Sequence, residues 1–236
     1  MEWFAVTFSM YKQAFSRAAV LALKNWPVIG SLFAYGLVMV AARLLLSSFP
    51  LGYAGGLIMT LVNAACFSSF LYLVEMMVRT SKVSWEDFGR SFGAHLGDVV
   101  GVMFLFWIFS MFAGPIVQAS PQGDLIFAVI TLAIFVFLNA VPELIYLGHY
   151  SSLALLSESY NFIAANWIEW FPATLLIGVL AYGVYQLPLS GMAGYLQTAA
   201  LGLVLYFGMV VRGLLFVELA GSSRRARAFK YRAGGR

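Results

Sequence analysis

Six long apolar stretches dominate the pattern of hydrophobic and polar positions, at 27–46, 54–78, 99–118, 125–147, 171–187 and 193–220. At 1.5 Å per residue each gives a helix of about 25–40 Å, enough or nearly enough for the roughly 30 Å hydrocarbon layer of a bilayer. The runs are continuous and do not alternate, which excludes the strands of a membrane barrel. The pattern predicts an all-α polytopic membrane protein with six transmembrane helices.

Between the apolar runs lie segments of a different kind. Phe4, Phe8, Tyr11, Phe15 and Ala18 form a stripe at helical spacing, and so do Trp85, Phe88, Phe92, Leu96 and Val99. Leu153, Leu156, Tyr160, Ile163 and Trp167 form a third. These stripes predict amphipathic helices lying in the membrane interface or packed on the ends of the spans. Ser84-Trp85-Glu86-Asp87 resembles a capping box at the start of the second, with Asp in the usual Glu position.

Landmarks recur with the segments. Asn25-Trp26, Phe49-Pro50-Leu51 and Glu75 have counterparts in Gly97-Asp98, Ser120-Pro121-Gln122 and Glu143, and again in Asn166-Trp167, Leu187-Pro188-Leu189 and Glu218. The period is roughly 70 residues, the signature of an internal repeat. The expectation is three pseudo-repeated hairpins at about 1–80, 81–149 and 150–221, each preceded by a cytoplasmic amphipathic helix. They make one transmembrane domain over 1–221, followed by a basic cytoplasmic tail at 222–236. Parallel repeats of this kind occur in transporters, where a site sits at the repeat interface.

Composition agrees. The chain has 236 residues, is 62% hydrophobic and 10% charged, and has a mean hydropathy of +0.87. Soluble domains are about 45–50% apolar and about 25% charged. A soluble globule, a disordered chain and a nucleic-acid-binding domain are excluded. Cys66 is the single cysteine, and His95 and His149 lack a ligand-like spacing, so no metal or other cofactor is expected. The first 26 residues carry Glu2, Lys12, Gln13, Arg17 and Lys24 without a signal-peptide core. The first membrane helix is expected to do the targeting.

Charge sets orientation. The linkers at 47–53, 119–124 and 188–192 contain no Lys or Arg. Lys12, Arg17, Lys24, Arg79, Lys82, Arg90 and the six basic residues of the tail all fall on the other side. By the positive-inside rule both termini are cytoplasmic. The linker at 148–170 departs from the pattern, having no Lys or Arg but carrying Glu158 and Glu169.

Ala22-Leu23-Lys24-Asn25-Trp26-Pro27 and the run from Ser157 to Trp167, ending in Ala-Asn-Trp, carry a resemblance. They are similar to bacterial six-helix inner-membrane proteins of the YciC-like kind and to the membrane domain attached to some glycerophosphodiester phosphodiesterases. The resemblance implies a bacterial inner-membrane location and no defined reaction, and no functional residue is carried over with it.

Candidate chemistry is sparse. Glu75, Glu143 and Glu218 sit near the cytoplasmic ends of the second helices of the repeats, where ionisable residues are costly and often functional. They read as a carboxylate ring for cations or protons, or as structural groups pairing with Arg79 or Arg212. Gly89, Gly93, Gly97 and Gly101 recur every four residues. Such a ladder predicts close helix packing within the chain, with another copy or with a partner, or else a hinge. Pro142 should kink the fourth span and free a carbonyl. Arg224, Arg225, Arg227, Lys230 and Arg232 of the tail are expected to contact anionic lipid headgroups or to serve as a solvated anchor. No GxxxxGK[ST], GxSxG, HExxH or Cys-x-x-Cys motif is present, and no enzyme activity is expected. The expected function is a small transport or channel-type protein with a central polar site. The alternative is a non-catalytic scaffold or accessory subunit of a membrane complex, as a homo-oligomer or with a partner. An intramembrane lipid-modifying enzyme is third.

Overall fold

The computed structural model describes residues 2–49, 53–148, 150, 151, 153–188 and 191–233. His149, Pro50, Leu51 and Leu189, named above, and the last basic residue of the tail, Arg236, lie outside the described residues, as do the side chains of Glu2, Phe4 and Arg232. The described residues form helices α1 (Glu2–Lys24), α2 (Pro27–Ser47), α3 (Tyr53–Thr80), α4 (Trp85–Ala94) and α5 (Leu96–Ala119). They continue with α6 (Gly123–Phe137), α7 (Val141–Leu147), α8 (Leu153–Tyr185), α9 (Met192–Ala220) and α10 (Arg224–Ala233). Six helical stretches are long and apolar enough to cross a membrane. The fold is an all-α, multi-pass membrane architecture.

The helices fall into two contact units. The first comprises Met1–Ala34, Leu73–Ser84 and Asn166–Arg236. In it α1 packs on α9 and α10. Met10, Ala14, Ala18 and Leu21 form the buried row of α1, at spacings of four, four and three. On α9 the buried residues include Tyr206, Val210, Val211, Leu214 and Leu215. The Phe15 and Phe207 rings meet at 6.0 Å. Gly208 lets α8 approach, since a Cβ there would lie 2.7 Å from Cγ2 of Ile177.

The second unit comprises Tyr35–Tyr72 and Trp85–Ala165. Hydroxyls tie its helices together: Tyr35 Oη is 2.6 Å from Ser69 Oγ, which is 2.5 Å from Ser91 Oγ. Here α5 and α6 form a hairpin closed at Gly123, where a Cβ would strike the Val117 carbonyl oxygen at 2.2 Å. The fourth span is interrupted between α6 and α7, with Pro142 in the first turn of α7. The Val141 N–H bonds to Leu138 O at 3.2 Å instead of to Phe137. The released Phe137 carbonyl accepts the buried Ser159 hydroxyl at 2.9 Å. The break expected at Pro142 is present: Leu138 O, to which Pro142 can offer no N–H, takes the Val141 N–H, and a side chain satisfies the Phe137 carbonyl so released.

One expectation is sharpened and two change. Of the three stripes, Ala18, Val99 and Ile163 are buried, together with Ala14 and Leu155 beside them, while Phe8, Trp85, Phe92, Leu153, Tyr160 and Trp167 are exposed. Small side chains let helices close up, and bulky amphipathic rings remain on the outside, where a membrane interface favours them. The third amphipathic segment is not a separate helix, because α8 runs unbroken for 33 residues with Pro172 inside it rather than in a first turn. The glycine ladder is divided at His95, between α4 and α5. A Cβ at Gly89, Gly93 or Gly97 would meet nothing within 4 Å, so these positions do not mediate close packing within the chain.

Candidate functional site

The densest polar cluster of the first unit forms where the tail helix α10 folds back onto α8 and α9. Ser223 accepts the Ala226 N–H at 3.3 Å and starts the helix. Arg224 reaches Glu169 as a two-point fork, with Nε 2.8 Å from Oε1 and Nη2 3.1 Å from Oε2. One turn on, Arg227 is almost fully buried and lies 3.8 Å from the same carboxylate. Its remaining N–H groups donate to the carbonyls of Leu219, at 3.2 Å, and of Ser222, and to Oδ1 of Asn166 at 3.4 Å. Burial pushes the Arg227 guanidinium below its ordinary value and Glu169 holds it up, so it stays charged. One buried carboxylate thus faces two guanidiniums, and its negative charge is fully met.

Glu169 also organises α1. The Tyr11 hydroxyl donates to the Glu169 backbone carbonyl. Burial, with the Glu169 charge adding, pushes the Tyr11 phenol up to about 12.

A second node centres on Asn25, buried between α1 and α2. Its amide donates to Leu21 O at 2.9 Å and to Ser81 O at 3.4 Å, and its oxygen accepts the Val83 N–H at 2.9 Å. Ser81 has φ of 61°, a left-handed backbone that costs a non-glycine residue about 1–3 kcal/mol and persists only when its surroundings hold it. Asn25 supplies that hold. The Tyr206 hydroxyl lies 3.2 Å from the Asn25 carbonyl and 3.2 Å from Met77 Sδ. Asn25 and Asn166 are therefore structural staples, while the tryptophans that follow them, Trp26 and Trp167, face outward.

The predicted site residues are dispersed among local partners. Glu75 pairs with Arg79 at 3.0 Å, i to i+4 on α3. Glu218 accepts Lys230 on both oxygens, at 2.8 and 2.7 Å. Glu143 is fully buried on α7. The Arg212 guanidinium stacks 5.0 Å over the Trp170 ring, a cation–π contact between α9 and α8. Of the five tail residues expected at lipid headgroups, Arg224, Arg227 and Lys230 pair with carboxylates of the chain, Arg227 buried and Arg224 and Lys230 still exposed. Arg225 is exposed. The buried Glu169 carboxylate on α8 is thereby paired, as a buried charge must be. Among the described residues no group of His, Cys, Asp or Glu is placed to hold a metal ion.

Sequence reasoning passed over Glu169 as a site residue. The signal was there, in a linker with two acids and no Lys or Arg and a tail with six bases and no acid. No protein-family model matches the chain, and no curated protein or solved structure shows significant similarity to it.

Proposed function

We propose that this chain is a non-catalytic scaffold or accessory subunit of a membrane complex, with the α5–α6 hairpin as the surface that holds a partner's membrane helix. One observation carries this reading. A laterally open, almost wholly apolar groove of about 790 Å³ runs along the hairpin, lined by Trp107, Phe109, Gly114, Phe127 and Ile134. A second cleft of about 560 Å³ shares Thr60, Met103 and Trp107 with it. The apolar windows of the third and fourth spans are 11% buried, against 39% for α3 and α9. Small residues beside aromatic ones, as at Ala113 and Gly114, suit helix-to-helix packing in lipid. Transport is the weaker reading, because Glu75 and Glu218 are each committed to a neighbouring base.

In this reading the threefold repeat is architectural, both termini are cytoplasmic and the membrane is a bacterial inner membrane. The support is the charge bias of the loops and the resemblance carried by the two Asn-Trp segments. Site-specific photo-crosslinking in the native membrane tests it. A crosslinker at Phe109 should give a discrete adduct with a membrane protein or a second copy, and one at Leu180 should not. Gly114→Phe, whose Cβ meets nothing within 4 Å and which lines the open groove, should abolish the adduct, with an unchanged thermal transition as the check on folding. Lipid adducts alone at Phe109 would overturn the proposal.

A further inference from the structure

A small polar cavity of about 140 Å³ opens between α1, α3, α9 and α10 in the first unit. That is roughly ten times the minimum for one water molecule. Gln13 and Arg17 line it from α1, Lys230 and Tyr231 from α10, and Glu218 from α9, with Leu215 among its apolar walls.

The charges do not cancel. Lys230 is spent on both oxygens of Glu218. Arg17 has no ion-pair partner among the described residues. The net charge around the cavity is therefore one positive, from two bases and one acid. Donors are available as well. The Tyr231 hydroxyl donates to Gln13 Oε1 at 3.0 Å, which leaves the Gln13 amide N–H groups without a partner among the described residues. A guanidinium and an amide, both donors, over a single excess positive charge match an oxyanion of one negative charge.

The surroundings narrow the choice. Outside its buried row α1 carries exposed Phe8, Val20 and Leu23, and α10 carries exposed Phe229. Helices with such faces rest at the level of lipid phosphates. We infer that this cavity binds one phosphate oxyanion, held by Arg17 and Gln13 beside the Lys230–Glu218 pair. A phosphodiester of an anionic lipid headgroup and a free phosphate ion share that chemistry. The inference stands apart from whatever the α5–α6 hairpin holds.

The test uses the full chain in phosphatidylcholine nanodiscs doped with phosphatidylglycerol, with retained phosphatidylglycerol counted by native mass spectrometry. Arg17→Gln should weaken retention about fivefold, the worth of roughly one basic residue at a lipid surface. Arg17→Lys should restore part of it. Arg225→Gln is the control, because Arg225 is exposed on α10 and does not line the cavity. It should change nothing. Arg17-dependent displacement of the lipid by inorganic phosphate would identify the free ion as a ligand. Arg17-dependent retention that phosphate cannot displace would identify the lipid. Equal losses in Arg17→Gln and Arg225→Gln would mean a diffuse surface field and overturn the inference, as would no selective retention by the unaltered protein.

Discussion

Two glycines show how differently the membrane helices are used. Gly208 on α9 lies against Ile177, with no room for a methyl group, whereas Gly114 on α5 faces empty space. The first belongs to helices that are closed by small-residue packing and by buried charge around Glu169. The second belongs to a hairpin whose apolar faces the chain itself leaves uncovered. Hydropathy cannot separate the two, since both sit in long apolar runs. What separates them is whether neighbouring helices supply something to pack against.

The sharpest way to break that contrast is Glu169→Gln. It leaves Arg227 buried beside a neutral amide, and losing one partner of a buried pair costs about 3–5 kcal/mol. Thermal unfolding in detergent should show a large loss of stability and release of α10 to protease. Next is Gly208→Ala, which overpacks the α8–α9 contact and should cost about 1–3 kcal/mol. Gly114→Ala is its counterpart and should be neutral or slightly stabilising, because Ala is the better helix former. Equal effects at the two glycines would erase the distinction between the regions.

The smallest effect is on titration. Tyr11, ordinarily at 10.0, is pushed up to about 12, so the fold favours the neutral phenol. Its contribution to stability is whole below pH 10.0 and is lost as pH rises through about 12. Glu169→Gln removes the carboxylate's share and should let Tyr11 ionise at lower pH. Tyrosinate absorbance, referenced to Tyr11→Phe, reads the difference.

Much of the fold was legible because a bilayer makes its demands locally. About 20 apolar residues in a row suffice to mark a span, and Pro142 marked the break before α7 through its missing N–H. Partnerships were not legible. The stripe of α1 shares only Ala18 with the buried row, which runs through Met10, Ala14 and Leu21, while Phe8 is exposed. Periodicity identifies a face, but the neighbouring helix decides which residues fit against it. The ion pairs of the tail were hidden for a related reason. Arg224 and Arg227 read as lipid-facing because Glu169, their counter-ion, lies 55 or more residues away. Asn25 was noticed as a repeat landmark and through a resemblance, and its task became visible only once the turn after α3 was placed against it.

The Glu169 cluster also imposes an order on synthesis. The carboxylate leaves the ribosome 55 residues ahead of Arg224. At roughly 5–20 residues per second, that is an interval of about 3–11 s. Through that time the growing chain holds an acid whose guanidinium partners have not yet been made. The pairing that fixes Glu169 on α8 therefore waits for α9 and α10 to be made. The basic tail is thus a clasp that closes on α8 only after both partners of its ion pairs have been made.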